Sequence, residues 1–158
     1  TGAMASSTAV VNAALAQHGI VRVDDQDGLL NGAAALAYNP LPAGNRVGVV
    51  SVSGGVATWL ADACESAGLQ VPELAPEIRA RIAEKIPDFG SSNNPVDITA
   101  QASDGLLVAM EAVGNAPNID ALIVALNLAT ERRLLKDGDF RGWIMVDEVF
   151  FYPPQASR

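Results

Sequence analysis

The chain has 158 residues and a mass of 16.4 kDa, with 49% hydrophobic and 18% charged residues, a composition that builds a core and excludes wholesale disorder. A net charge of −8 and a pI near 4.4 set it against nucleic acid, whose phosphates an acidic surface repels. A single cysteine, Cys64, excludes an internal disulfide framework and a cysteine-based zinc site, and any Ser-His-Asp or Cys-His site would have to use the single histidine, His18.

Residues 1–7 are small and polar, with no basic segment leading into an apolar run, and no stretch approaches the ~20 apolar residues of a membrane span. A cytoplasmic chain with no membrane partner is the expectation. Thr8 to His18 reads as a short helix with Val11, Ala14 and Leu15 on one side, stopped by Gly19. Ile20 to Val23 reads as a short strand. Asp24 or Asp25 can cap the next helix, which carries Leu29, Leu30, Ala33, Leu36 and Ala37. Two prolines and a glycine between Tyr38 and Asn45 then break the pattern and mark a domain boundary.

Beyond the boundary the rhythm changes. Arg46 to Val52 is valine-rich and suits a strand buried on both faces. Ser53-Gly54-Gly55 interrupts it, and a helical pattern runs to Ala67 and ends at Gly68. Leu69 to Leu74 reads as a second strand, placed at an edge by Pro72. Pro76 fits the first turn of a helix whose buried stripe is Leu74, Ile78, Ile82 and Ile86. Asn94 to Thr99 reads as a third extended segment. Ser103 opens a helix with Leu106, Leu107, Met110 and Val113 inward, and Ile119 to Leu128 is the clearest central strand. Glu131 to Lys136 reads as a charged helix and Trp143 to Tyr152 as a fifth strand.

Strands alternating with helices predict an α/β fold: a flavodoxin-like, three-layer parallel sheet of order 2-1-3-4-5, with an N-terminal helical extension. The divisions are 1–38, a linker at 39–45, the sheet domain at 46–152 and a tail at 153–158.

The chemistry lies where the first strand meets its helix. In an open parallel sheet, ligands bind outside the carboxyl ends of the strands. A helix starting at Gly54-Gly55 offers unpaired N–H groups and the positive end of its dipole, and glycine lets an anion approach closely. Ser53, Gly54, Gly55 and Val56 are therefore the candidate phosphate-binding residues, with Asn94 and Asp97 as candidate pocket residues. The Rossmann fingerprint and the Walker loop are both absent from this turn. His18 reads as a helix-end residue, Cys64 as a buried inert thiol, and Asp24, Asp25 and Asp27 as a helix start rather than a metal cluster. Arg132, Arg133 and Lys136 read as a solvated helix face. No residue is singled out as catalytic or metal-binding.

The segments Arg46-Val47-Gly48-Val49-Val50-Ser51-Val52-Ser53-Gly54-Gly55-Val56, Ala61-Asp62-Ala63-Cys64-Glu65-Ser66-Ala67-Gly68-Leu69, Val71-Pro72-Glu73-Leu74 and Asn94-Pro95-Val96-Asp97-Ile98-Thr99 resemble the NDP-forming acyl-CoA synthetases. These are relatives of succinyl-CoA synthetase and include ADP-forming acetate–CoA ligases. The likeness extends over about residues 1 to 128. It implies that residues 1–38 close a preceding flavodoxin-like domain, directly after a loop whose histidine is phosphorylated. It also implies an acyl phosphate made from acyl-CoA and phosphate. The phosphoryl group then passes to the histidine and on to a nucleoside diphosphate on an ATP-grasp domain. The phosphohistidine is steadied between two helix N-termini, one matching Ser53-Gly54-Gly55-Val56. The histidine would fall just before Thr1. CoA, nucleotide and magnesium are expected on other domains, so this chain alone is expected to bind no cofactor and to be inactive. Its partners would be the CoA-binding and ATP-grasp domains of the same enzyme, and a severed docking face could make it a homo-oligomer. The alternative is a non-catalytic regulatory, scaffolding or CoA-binding module of a CoA-dependent acyltransferase fusion; a flavodoxin-type small-molecule binder is a third reading.

Overall fold

The computed structural model describes residues 8–38, 41–100, 103–126, 144–146 and 149–152. The chain divides into two compact units, Thr1–Ala35 and Leu36–Arg158.

The first unit holds α1 (Thr8–Gln17) and most of α2 (Gln26–Tyr38). None of the α1 residues is buried. Gly19 ends the first helix at φ +66, a left-handed conformation that costs glycine nothing, and Ile20 N turns back to donate to Leu15 O at 2.9 Å. Asp25 caps α2 by accepting from Gly28 N at 2.7 Å. Ile20 to Val23 is not a strand: it has no ladder partner among the described residues, and Ile20 and Val21 are exposed. Four residues held between a helix stop and a helix cap connect α1 to α2, and Arg22 among them donates from its side chain back to Asn12.

The second unit is built on β1 (Val47–Ser51), whose five residues are all buried. Successive side chains alternate between two faces. Val47 and Val49 pack with Leu60 and Cys64 of α3 (Gly54–Ser66) and with Ile123 and Ala125 of β3 (Ala121–Ala125). Val50, Leu122 and Val124 pack on the other face with Ile82 of α4 (Pro76–Ala83) and with Leu106, Met110 and Val113 of α5 (Ser103–Gly114). Gly48 lies on this second face, where α5 comes so close that a Cβ would run into the Val113 methyl. Leu107, expected inward, is instead exposed. The result is three layers, with α3 on one side of the sheet and α4 and α5 on the other.

The sheet order is β2-β1-β3-β5-β4, where β2 is Val96–Asp97, β4 is Ile144–Val146 and β5 is Val149–Tyr152. β1 runs parallel to β2 and to β3, giving the α/β flavodoxin-like core that alternation predicts. The order departs from the expected 2-1-3-4-5, since the third extended segment supplies β2 on the flank expected for Leu69 to Leu74 and β5 lies between β3 and β4. Two departures from the expected strand assignment have clear causes. Leu69 to Leu74 supplies only a single bridge, Gln70 to Arg46, because Pro72 lacks an N–H and the next stretch of the β1 edge is taken by a side chain described below. The C-terminal aromatic segment forms two strands rather than one. Only two residues separate β4 from β5, which is enough for an antiparallel hairpin but not for a parallel crossover. β5 therefore pairs antiparallel with both β3 and β4, with Ile123 opposite Phe151 and Met145 opposite Phe150. The expected helix at Glu131–Lys136, with Arg132 and Arg133, lies outside the described residues, as does the tail at 153–158.

A charged clamp closes the amino end of the sheet. Arg46 donates through Nε and Nη2 to the two Asp120 oxygens at 2.8 and 2.7 Å, and its backbone N donates to Asp120 Oδ2 at 3.0 Å. Asp120 N donates in return to Arg46 O at 2.7 Å. This reciprocal pair aligns the start of β1 with the start of β3, 74 positions away.

Candidate functional site

Two residues separate the end of β1 from the start of α3, at the carboxyl end of the parallel strands. Ser53 is the N-cap, extended at φ −144 and ψ 122, and its hydroxyl does not bond the helix. Its carbonyl accepts the first intrahelical bond, from Ala57 N at 2.9 Å. The amides of Gly54, Gly55 and Val56 thus lie ahead of the helical ladder, and no described residue accepts from them. Gly55 and Val56 are exposed. Three donors and the positive end of a thirteen-residue helix face outward together. Behind them, the fully buried Ser51 turns its Oγ to accept from Ser53 N at 3.1 Å, which fixes the approach to the turn. In the sequence, the only signal of Ser51 is a hydroxyl at the end of an otherwise apolar strand.

Asp97 comes to the same place. It pairs with Ser51 across β1 and β2, and it exchanges backbone bonds with Ser91 at 2.9 Å in both directions. Its Oδ1 accepts from Thr99 N at 2.9 Å, and Thr99 sits at φ 62. Its Oδ2 lies 2.7 Å from where a Cβ on Gly54 would stand. A Cβ at position 54 would therefore press on the carboxylate and make it shift, whereas a Cβ at Gly55 would meet nothing within 4 Å.

Asn94, the other candidate pocket residue, is used differently. It is buried, and its carboxamide acts as a strand of one group against β1. Oδ1 accepts from Val49 N at 2.9 Å, while Nδ2 donates to Val47 O at 2.8 Å and to Pro72 O at 2.9 Å. Both amide hydrogens are spent on backbone, so Asn94 holds the sheet edge rather than facing a ligand.

The remaining chemical residues have settings of their own. His18 is exposed beyond the last residue of α1. Cys64 is buried on the sheet side of α3, and burial pushes its thiol pKa up. Asp25 is the α2 cap. Among the described residues no three His, Cys, Asp or Glu side chains gather to hold a metal, and no helix is long and apolar enough to cross a membrane.

The chain is similar to known proteins over much of its length. Residues 47–130 match the model of the Ligase-CoA domain, more than half of the chain. A 4-hydroxybutyrate–CoA ligase (ADP-forming) of Nitrosopumilus maritimus is 40% identical over 102 residues, covering 65% of this chain and 14% of that protein. The alpha subunit of an acetate–CoA ligase (ADP-forming) I of Pyrococcus furiosus is 35% identical over 102 residues, covering 65% of this chain and 22% of the subunit. The solved structure of a dinucleotide-forming acetyl-coenzyme A synthetase 1 of Ca. Korarchaeum cryptofilum, in complex with phosphate and ADP, superposes with a TM-score of 0.72 at 29% identity. That match covers 79% of this chain and 27% of the synthetase chain. The chain thus spans well under a third of each of these relatives.

Proposed function

The chain belongs to the Ligase-CoA domain family of NDP-forming acyl-CoA synthetases, and from that premise we propose that it serves such an enzyme by lending the start of α3 to a phosphoryl group in transit. The observation that carries this reading is the outward-facing set of Gly54, Gly55 and Val56 amides at the carboxyl end of β1. The reaction would run from acyl-CoA, phosphate and a nucleoside diphosphate to the free acid, CoA and the triphosphate. Phosphate displaces the thiolate at the acyl carbon, giving acyl phosphate and CoA. The phosphoryl group leaves the acyl oxygen for an imidazole nitrogen, releasing the carboxylate, and then leaves nitrogen for the diphosphate. Fixed backbone dipoles suit a group whose charge must be held without forming a covalent bond to it.

On this reading residues 1–38 close a flavodoxin-like domain that carries the histidine. The CoA-binding and ATP-grasp domains are the partners, CoA, nucleotide and magnesium sit on them, and the setting is cytoplasmic. The chain by itself forms no CoA thioester.

Titration of the isotope-labelled chain with inorganic phosphate tests the proposal. The Gly54, Gly55 and Val56 amide resonances should shift together, and Gly55→Val should weaken that response while the rest of the spectrum is kept. Amides that stay still at high phosphate would overturn the reading and favour a non-catalytic scaffolding module.

A further inference from the structure

We draw no further inference here: the strongest candidate, the exposed apolar patch that Val56 and Trp59 form on the face of α3 turned away from the sheet, carries nothing, because nothing in the structure shows what covers it.

Discussion

The backbone amide of Val49 donates to the side-chain oxygen of Asn94 at 2.9 Å, across 45 positions of sequence. Through this bond and the two made by Nδ2, a carboxamide does the work of a peptide group in a sheet. Asn94→Ala should leave Val49 N and Val47 O buried without partners. Each such group costs about 1–3 kcal/mol, so a loss of about 3 kcal/mol is expected, read as a lower urea midpoint with an unchanged slope.

Gly54 and Gly55 are neighbours with opposite expectations. Gly54→Ala forces a Cβ against Asp97 Oδ2 and should destabilise by about 1–2 kcal/mol. Gly55→Ala adds its methyl to open space in the first turn of a helix and should be neutral or stabilising by up to about 1 kcal/mol. Thermal unfolding of the two variants checks the contrast, and equal effects would show that the carboxylate moves freely.

The Arg46 guanidinium lowers the Asp120 pKa from 3.8 to about 2, first through its side-chain hydrogen bonds and then through the backbone bond from Arg46 N, against a smaller opposing effect of burial. A carboxylate with a depressed folded pKa contributes stability that is complete above its unfolded value, here about pH 4, and that is lost as the pH falls towards 2. Arg46→Met should lower the unfolding midpoint at neutral pH, and the gap from wild type should narrow as the pH is taken from 4 to 2. Denaturant melts at several pH values measure it.

Cys64, buried on α3 with a raised pKa, should resist thiol reagents in the folded protein and react at once in denaturant. Native-state labelling as fast as that of the unfolded chain would place the helix away from the sheet.

The parts of this fold that could be read in the sequence are those carried by local chemistry. β1 and β3 are short apolar runs, and the starts and stops of α1, α2, α3 and α4 rest on Asp25, Gly19, Gly68 and Pro76, each acting within a turn of its own position. The turn at Ser53–Val56 was legible for the same reason. What escaped depends on pairs far apart in the chain. Nothing near Leu69–Leu74 announces that Asn94 will occupy its edge, and nothing near Trp143 shows that Val149 to Tyr152 pairs with β3. Asp97 could be nominated from its place at a strand end, but its contact with Gly54 needs the register of β2 on β1.

The outer side of β1 is stitched by successive pieces: Gln70, the Asn94 carboxamide, Val96–Asp97, and Ile98 N on Ser51 O at 3.0 Å. A patchwork of this kind leaves no straight row of free peptide groups for a foreign strand to copy. On that flank the molecule is expected to resist templated growth into fibrils, because the seam is too broken to be extended.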